Sequence, residues 1–166
     1  MKKIRRKVAL ALAVVMLLGS SLTTHAQGTE KEVKKTNQEI ANEMLDAFVE
    51  SVKNNTFVQP RWQNTLILDF GFSVAKGTAY VDLNVTGRTG VDEIYATIVL
   101  SRYNSYTGLY DHVHTFPTQH TYGRVLNYYD THFPMAAGQR YNATVSAVVF
   151  KDGQAEQVYS VCSYDY

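Results

Sequence analysis

A chain of 166 residues that is 45% hydrophobic and 19% charged can bury one ordinary core and is too short for several domains. Its formal charge of +1 misleads: five of the 16 basic residues lie in the first seven positions, so residues 27–166 carry 11 basic against 15 acidic residues, a formal −4. That balance argues against nucleic acid or an anionic membrane surface as partner, and the single cysteine, Cys162, rules out an internal disulfide.

The first segment reads as an address. Lys2, Lys3, Arg5, Arg6 and Lys7 precede the apolar run VALALAVVMLL, and GSSLTTHA follows with small residues at Thr24 and Ala26. This is the order of a signal peptide over 1–26, cleaved before Gln27. The run falls short of the about 20 residues that a stable membrane anchor needs. An uncleaved anchor would share the same features, but the expectation is a secreted or cell-surface protein with no stable membrane anchor after cleavage.

From Thr29 to about Lys53 the apolar period is helical. Thr29 and Glu32 have the spacing of a capping box, and Ile40, Ala41, Met44, Leu45, Phe48 and Val52 form one stripe on a charged helix. Residues 27–60 are therefore expected to be an amphipathic helix and linker. The stripe can dock on the remaining domain, bind a partner, or drive self-association, and the sequence leaves these open.

Beyond Trp62 the period becomes two, and residues 61–166 read as a β-sandwich domain. Leu66, Leu68, Phe70, Phe72 and Val74 alternate with polar or small neighbours as far as Lys76-Gly77. Ala79, Val81, Leu83 and Val85 follow, and then Ile94, Ala96, Ile98 and Leu100, the pattern of antiparallel strands with one face buried and one wet. Segments 109–116 and 122–133 have strand composition with weaker alternation, as edge strands do. Tyr141, Ala143, Val145, Ala147 and Val149 form the last clear run before Asp152-Gly153, a two-residue hairpin signal. That turn places Lys151 opposite Gln154, Val149 opposite Glu156, Ala147 opposite Val158 and Ala143 opposite Cys162, so Cys162 should point inward as a small apolar group. Six or seven strands without intervening helices indicate an all-β antiparallel sandwich preceded by one amphipathic helix, with a closed barrel as the structural alternative.

The segment Met135-Ala136-Ala137-Gly138-Gln139-Arg140-Tyr141, with Ala143 and Val145 after it, resembles the Leu-x-Pro-Gly-x-x-Tyr-x-Val-x-Val pattern of fibronectin type III and related immunoglobulin-like domains. Gly138 and Tyr141 match, while Met135, Ala137 and Ala143 stand for leucine, proline and valine. The resemblance implies a tyrosine corner, in which a buried phenol bonds backbone a few residues upstream. Trp62 does not occupy the place of the core tryptophan of those domains, and their paired cysteines are absent. Residues 62 to 166, including GTAYVDLNVTGRTGVDEIYATIVLSRY and YNATVSAVVFKDGQAEQVYSVCSYDY, are also similar to a group of small exported Gram-positive β-sandwich proteins. That resemblance implies export and fold and brings no activity with it.

Candidate chemistry is sparse. There is no Gly-x-Ser-x-Gly elbow, phosphate-cradling loop or dinucleotide fingerprint. His112 and His114, two apart, would project from one face of a strand, and with His120, Asp130 or His132 could ligate zinc. A zinc-dependent secreted hydrolase is therefore one alternative function, and a structural, self-assembling exported protein another. The aromatic content points elsewhere. All 12 tyrosines follow the leader, Tyr80, Tyr95 and Tyr159 take outward register, and Tyr103, Tyr106 and Tyr110 cluster in SRYNSYTGLYDH. Tyrosine offers a rigid apolar plate with a polar tip, suited to sugars and protein surfaces. The expectation is a non-catalytic extracellular binding module, without metal or cofactor, that contacts a protein or glycan through Tyr103, Tyr106 and Tyr110.

Overall fold

A computed structural model describes residues 35–56 and 62–166. The leader, Thr29, Glu32 and most of the linker lie outside the described residues. Helix α1 (Asn37–Lys53) begins at Thr36, where the threonine–glutamate pattern recurs seven residues beyond the expected cap. The Thr36 amide donates to Glu39 Oε2 at 2.7 Å and the Glu39 amide to Thr36 Oγ1 at 3.3 Å, a reciprocal box that holds the Glu39 carboxyl below its ordinary range.

Eight strands follow: β1 (Thr65–Ala75), β2 (Thr78–Gly87), β3 (Val91–Asn104), β4 (Leu109–Thr115), β5 (Gln119–Tyr122), β6 (Val125–His132), β7 (Arg140–Lys151) and β8 (Gln154–Asp165). They form two antiparallel sheets, one ordered β1-β2-β6 and the other β4-β3-β7-β8, with β5 also paired to β3. The count exceeds the sequence expectation because β4 and β5 lie end to end along one long partner. β4 pairs with Val99–Asn104 of β3 and the four-residue β5 with Glu93–Ala96. The hairpin turns work as their residues require: Lys76-Gly77 and Asp152-Gly153 both have positive φ (50° and 76°; 51° and 72°), the conformation of a type I′ turn. The β7–β8 register is the one the turn dictates, from Lys151–Gln154 through Ala143–Cys162 to Arg140–Asp165.

Between the sheets lies a core of Val81, Leu83, Val85, Ile94, Ile98, Leu100, Val145, Val149 and Val158. Cys162 packs against it half-buried, its thiol donating to the Phe70 carbonyl at 3.0 Å; burial and the Asp82 and Asp69 charges push its pKa up. One inward expectation fails. Leu66 is 52% exposed because the β1 register slips between Thr65 and Ile67, and a bulge there reverses the phase that Leu68, Phe70 and Val74 keep.

The five-stranded sheet departs further from simple alternation. Ile94–Ser101 of β3 and Ala143–Phe150 of β7 are buried at every position. Helix α1 covers the outer face: Ala41 and Leu45 cluster with Tyr95, Val148 and Phe150, and Phe48 and Val52 with Val99. Tyr159 stacks on Phe48 with ring centroids 5.1 Å apart. Tyr95 and Tyr159 thus face away from the inter-sheet core, as their register requires, yet serve as seats for the helix. A 17-residue helix is marginal alone, whereas burying each large apolar side chain contributes about 1.5–3 kcal/mol, so docking stabilises the helix more than its own propensity does.

β6 belongs to one sheet and β7 to the other, and Tyr141 stands just past the crossing. Its ring is 2% exposed; the hydroxyl accepts from the Ala136 amide at 2.9 Å and donates to the Ala136 carbonyl at 3.1 Å. The loop backbone is thereby tied to the second residue of β7.

Two substitutions test these attachments by equilibrium urea unfolding. Phe48→Ala empties the centre of the helix seat and is expected to cost about 3–5 kcal/mol. Tyr141→Phe leaves two loop backbone groups without their partner and is expected to cost about 1–3 kcal/mol; an unchanged midpoint would deny the hydroxyl any structural role.

Candidate functional site

The β3–β4 turn is built by Asn104. Its side-chain oxygen accepts from the Tyr106 amide (3.0 Å) and the Thr107 amide (3.3 Å), its backbone carbonyl from Gly108 (2.8 Å), and its Nδ2 donates to Asp111 (3.0 Å). Gly108 has φ 72°, which closes the turn in the left-handed region. The end of α1 braces the same turn: Asn55 exchanges 3.3 Å hydrogen bonds with both backbone groups of Tyr110.

This frame separates the three tyrosines. Tyr103 and Tyr110 are opposite each other across β3–β4, with ring centroids 5.4 Å apart and planes tilted by 59°. Tyr106 is 97% exposed at the tip and stacks on neither. Tyr103 also lines an open cleft of about 520 Å³ with Ser105, Gly138, Gln139, Arg140, Asp165 and Tyr166. Gly138, matched to the corner pattern in the sequence, is thus a wall of the cleft, while Tyr141 lies buried below it.

Arg140 and Asp165 dominate the polar wall. The guanidinium donates through Nε (2.6 Å) and Nη2 (3.2 Å) to the two carboxylate oxygens, a fork-to-fork contact. Each partner secures the other's charge: the hydrogen bond raises Arg140 and lowers Asp165. The pair is exposed, so its value lies in fixing geometry rather than in stability. Sequence reading by residue type overlooked both residues, although the hairpin register, continued back to the start of β7, already sets Arg140 opposite Asp165.

The histidines resolve differently from expectation. His112 and His114 do not share a face. Leu100 pairs with His114 and Ser101 with His112, so Val113 is an extra residue and the bulge turns the two imidazoles to opposite sides. His112 bonds Thr115 Oγ1 at 2.9 Å on the helix side. His114 stacks on His132 of the other sheet at 4.2 Å between centroids, near Asp130, which accepts a hydrogen bond from the Tyr128 hydroxyl. His120 stacks on Tyr95 at 4.1 Å. Among the described residues no group of three or more His, Cys, Asp or Glu is disposed to hold a metal ion.

His112, His114 and His132 all lie below the ordinary imidazole pKa, first because burial disfavours the charged ring. Lys53 adds to this at His112 and His114 adds to it at His132, whereas Asp130 opposes it at His114. The unfolded chain therefore takes up protons before the folded one does. Stability is full above the unfolded value of about 6.5 and declines as pH falls through it toward the folded values. Urea unfolding from about pH 8 to about pH 5 should show this decline, and His132→Gln should flatten it. A pH-independent midpoint would exclude any coupling of the histidine pair to folding.

No protein-family model matches the chain, and no curated protein matches it at a significant level, so geometry alone must carry any functional conclusion.

Proposed function

We propose that the chain is an exported, non-catalytic binding module of the immunoglobulin/fibronectin type III-like class, akin to small Gram-positive secreted sandwich proteins, and acts outside the cell. The strand order β1-β2-β6 against β4-β3-β7-β8, with a buried tyrosine after the β6-to-β7 crossing, supports the class. The leader pattern of residues 1–26 supports export, and no described helix is long and apolar enough to cross a membrane.

The observation that carries the binding role is the cleft at the end of the five-stranded sheet, where Tyr103 stands beside an oriented Arg140–Asp165 pair. It combines an aromatic plate with a few convergent polar groups on a rigid frame, the composition of recognition sites. The competing readings lose their motivating features. The zinc hydrolase needed His112 and His114 on one face, and a bulge separates them. Self-assembly through α1 needed its apolar stripe, which packs on β3 and β7. Cys162 bonds the Phe70 carbonyl with its pKa raised, which disfavours a nucleophilic thiolate.

Immobilised protein should retain a ligand from its native extracellular milieu, and the Tyr103→Ala/Tyr110→Ala pair should cut retention by about tenfold or more while the thermal midpoint shows the domain still folded. Tyr106→Ala, at the exposed tip, should weaken retention less. Undiminished capture by the folded double variant removes this site.

A further inference from the structure

The polar groups around the cleft constrain what it can hold. Arg140 and Asp165 stand side by side with cancelling charges, so an anion would confront the carboxylate and a cation the guanidinium. A neutral polyol meets neither penalty, because each hydroxyl both donates and accepts. The fork contact uses the Nε hydrogen and one on Nη2, leaving the other guanidinium hydrogens and the remaining carboxylate lone pairs for a ligand. Ser105 and Gln139 add a hydroxyl and an amide, each again donor and acceptor.

An extended peptide is poorly served at the same place. Strand addition needs unpaired backbone groups at a sheet edge. Here the Gln139 amide donates to the Tyr166 carbonyl at 3.0 Å and the Tyr166 amide to the Gln139 carbonyl at 2.9 Å, so the backbone of these two lining residues is already paired, and an added strand would have to run along the outer edge of β8 instead of across the cleft. Side chains remain, and they suit a ring bearing hydroxyls.

The aromatic element agrees. Tyr103 and Tyr110 are tilted by 59°, so they do not cover each other's ring faces as a parallel stack would. The C–H-rich face of a pyranose, slightly positive, rests well on the electron-rich face of a phenol. Asn104 and Asn55 hold the turn in place, so little ordering remains for the ligand to impose. The volume of about 520 Å³ and the open form fit one or two sugar units of a longer chain passing across the end of the sheet.

We propose that this cleft binds a neutral saccharide, with one pyranose on Tyr103 and its hydroxyls on Arg140, Asp165, Gln139 and Ser105. The proposal rests on the binding role given above and names its ligand class. The test is an NMR titration of the ¹⁵N-labelled chain with short oligosaccharides of glucose, N-acetylglucosamine, mannose and galactose, set against oligoglutamate, oligolysine and a neutral Gly-Ser peptide. At least one neutral sugar is expected to shift the amides of Ser105, Gln139, Arg140 and Tyr166. Tyr103→Ala should weaken that titration by about tenfold or more and Tyr103→Phe should retain it, since the phenylalanine keeps the ring. Arg140→Lys should weaken it as well, because a point charge replaces the fork. The variants' own spectra report whether they fold.

Failure of all four sugars to move these amides, or movement by a peptide instead, overturns the saccharide assignment. If tyrosine-dependent capture from the extracellular milieu persists while the sugars fail, the binding role stands and only the ligand class falls. Loss of both removes the site altogether.

Discussion

The structure depends on the burial of β3 and β7 from both sides. Their inner faces meet the three-stranded sheet across the core, and their outer faces receive Ala41, Leu45, Phe48 and Val52 of the helix. A sheet with one wet face tolerates polar residues at alternate positions; these two strands carry Tyr95, Val99, Val148 and Phe150 there instead. The few polar groups so buried are the small hydroxyls of Thr97, Ser101, Thr144 and Ser146; Thr97 donates to the Phe116 carbonyl at 3.1 Å, and Ser146 accepts from the Gln157 side-chain amide at 3.0 Å. No buried side-chain nitrogen or oxygen among the described residues lacks a hydrogen bond.

The helix also decides where a ligand could approach. It runs out at Lys53, and Asn55 then reaches the backbone of Tyr110. Beyond that point no described helix residue covers the outer face of the sheet, and the row from Tyr110 and Tyr103 toward Arg140 and Asp165 begins. The proposed seat is thus the part of the sheet that the helix is too short to cover. Its rigidity comes from neighbours engaged in other tasks: the Asn104 turn, the pairing of Gln139 with Tyr166, and the anchored loop before Tyr141.

The two open sides of the sandwich are joined by different chemistry. Along β1 and β8, the Glu156 carboxylate accepts from the backbone amides of Gln63, Asn64 and Thr65 and from the Thr65 hydroxyl, while Cys162 bonds Phe70. Along β4 and β6 the contact is a stack of two imidazoles, His114 on His132. The first joins the sheets through hydrogen bonds to a single carboxylate, whereas stacked imidazoles repel once both are protonated. The β4–β6 side therefore carries a contact that acid weakens.

Much of the fold was legible because its causes are local. A period of two with Asp152-Gly153 between the runs determines which residues of β7 and β8 oppose each other, and that register already places Cys162 inward and Arg140 beside Asp165. The tyrosine pattern near Gly138 pointed to a buried ring, since a phenol there has one backbone segment within reach. Other features were decided only by tertiary structure. The bulges at Leu66 and Val113 turn on how one strand meets its neighbour, and each sends a side chain to the face its spacing alone would deny it. The stripe on α1 declared an apolar face but not its partner, because helix period specifies what must be buried and not against what. The cleft belongs to that second kind: Tyr103, the adjacent Gln139 and Arg140, and Asp165 come from three separate stretches of the chain, and only the side-by-side pairing of β3, β7 and β8 brings them to one rim.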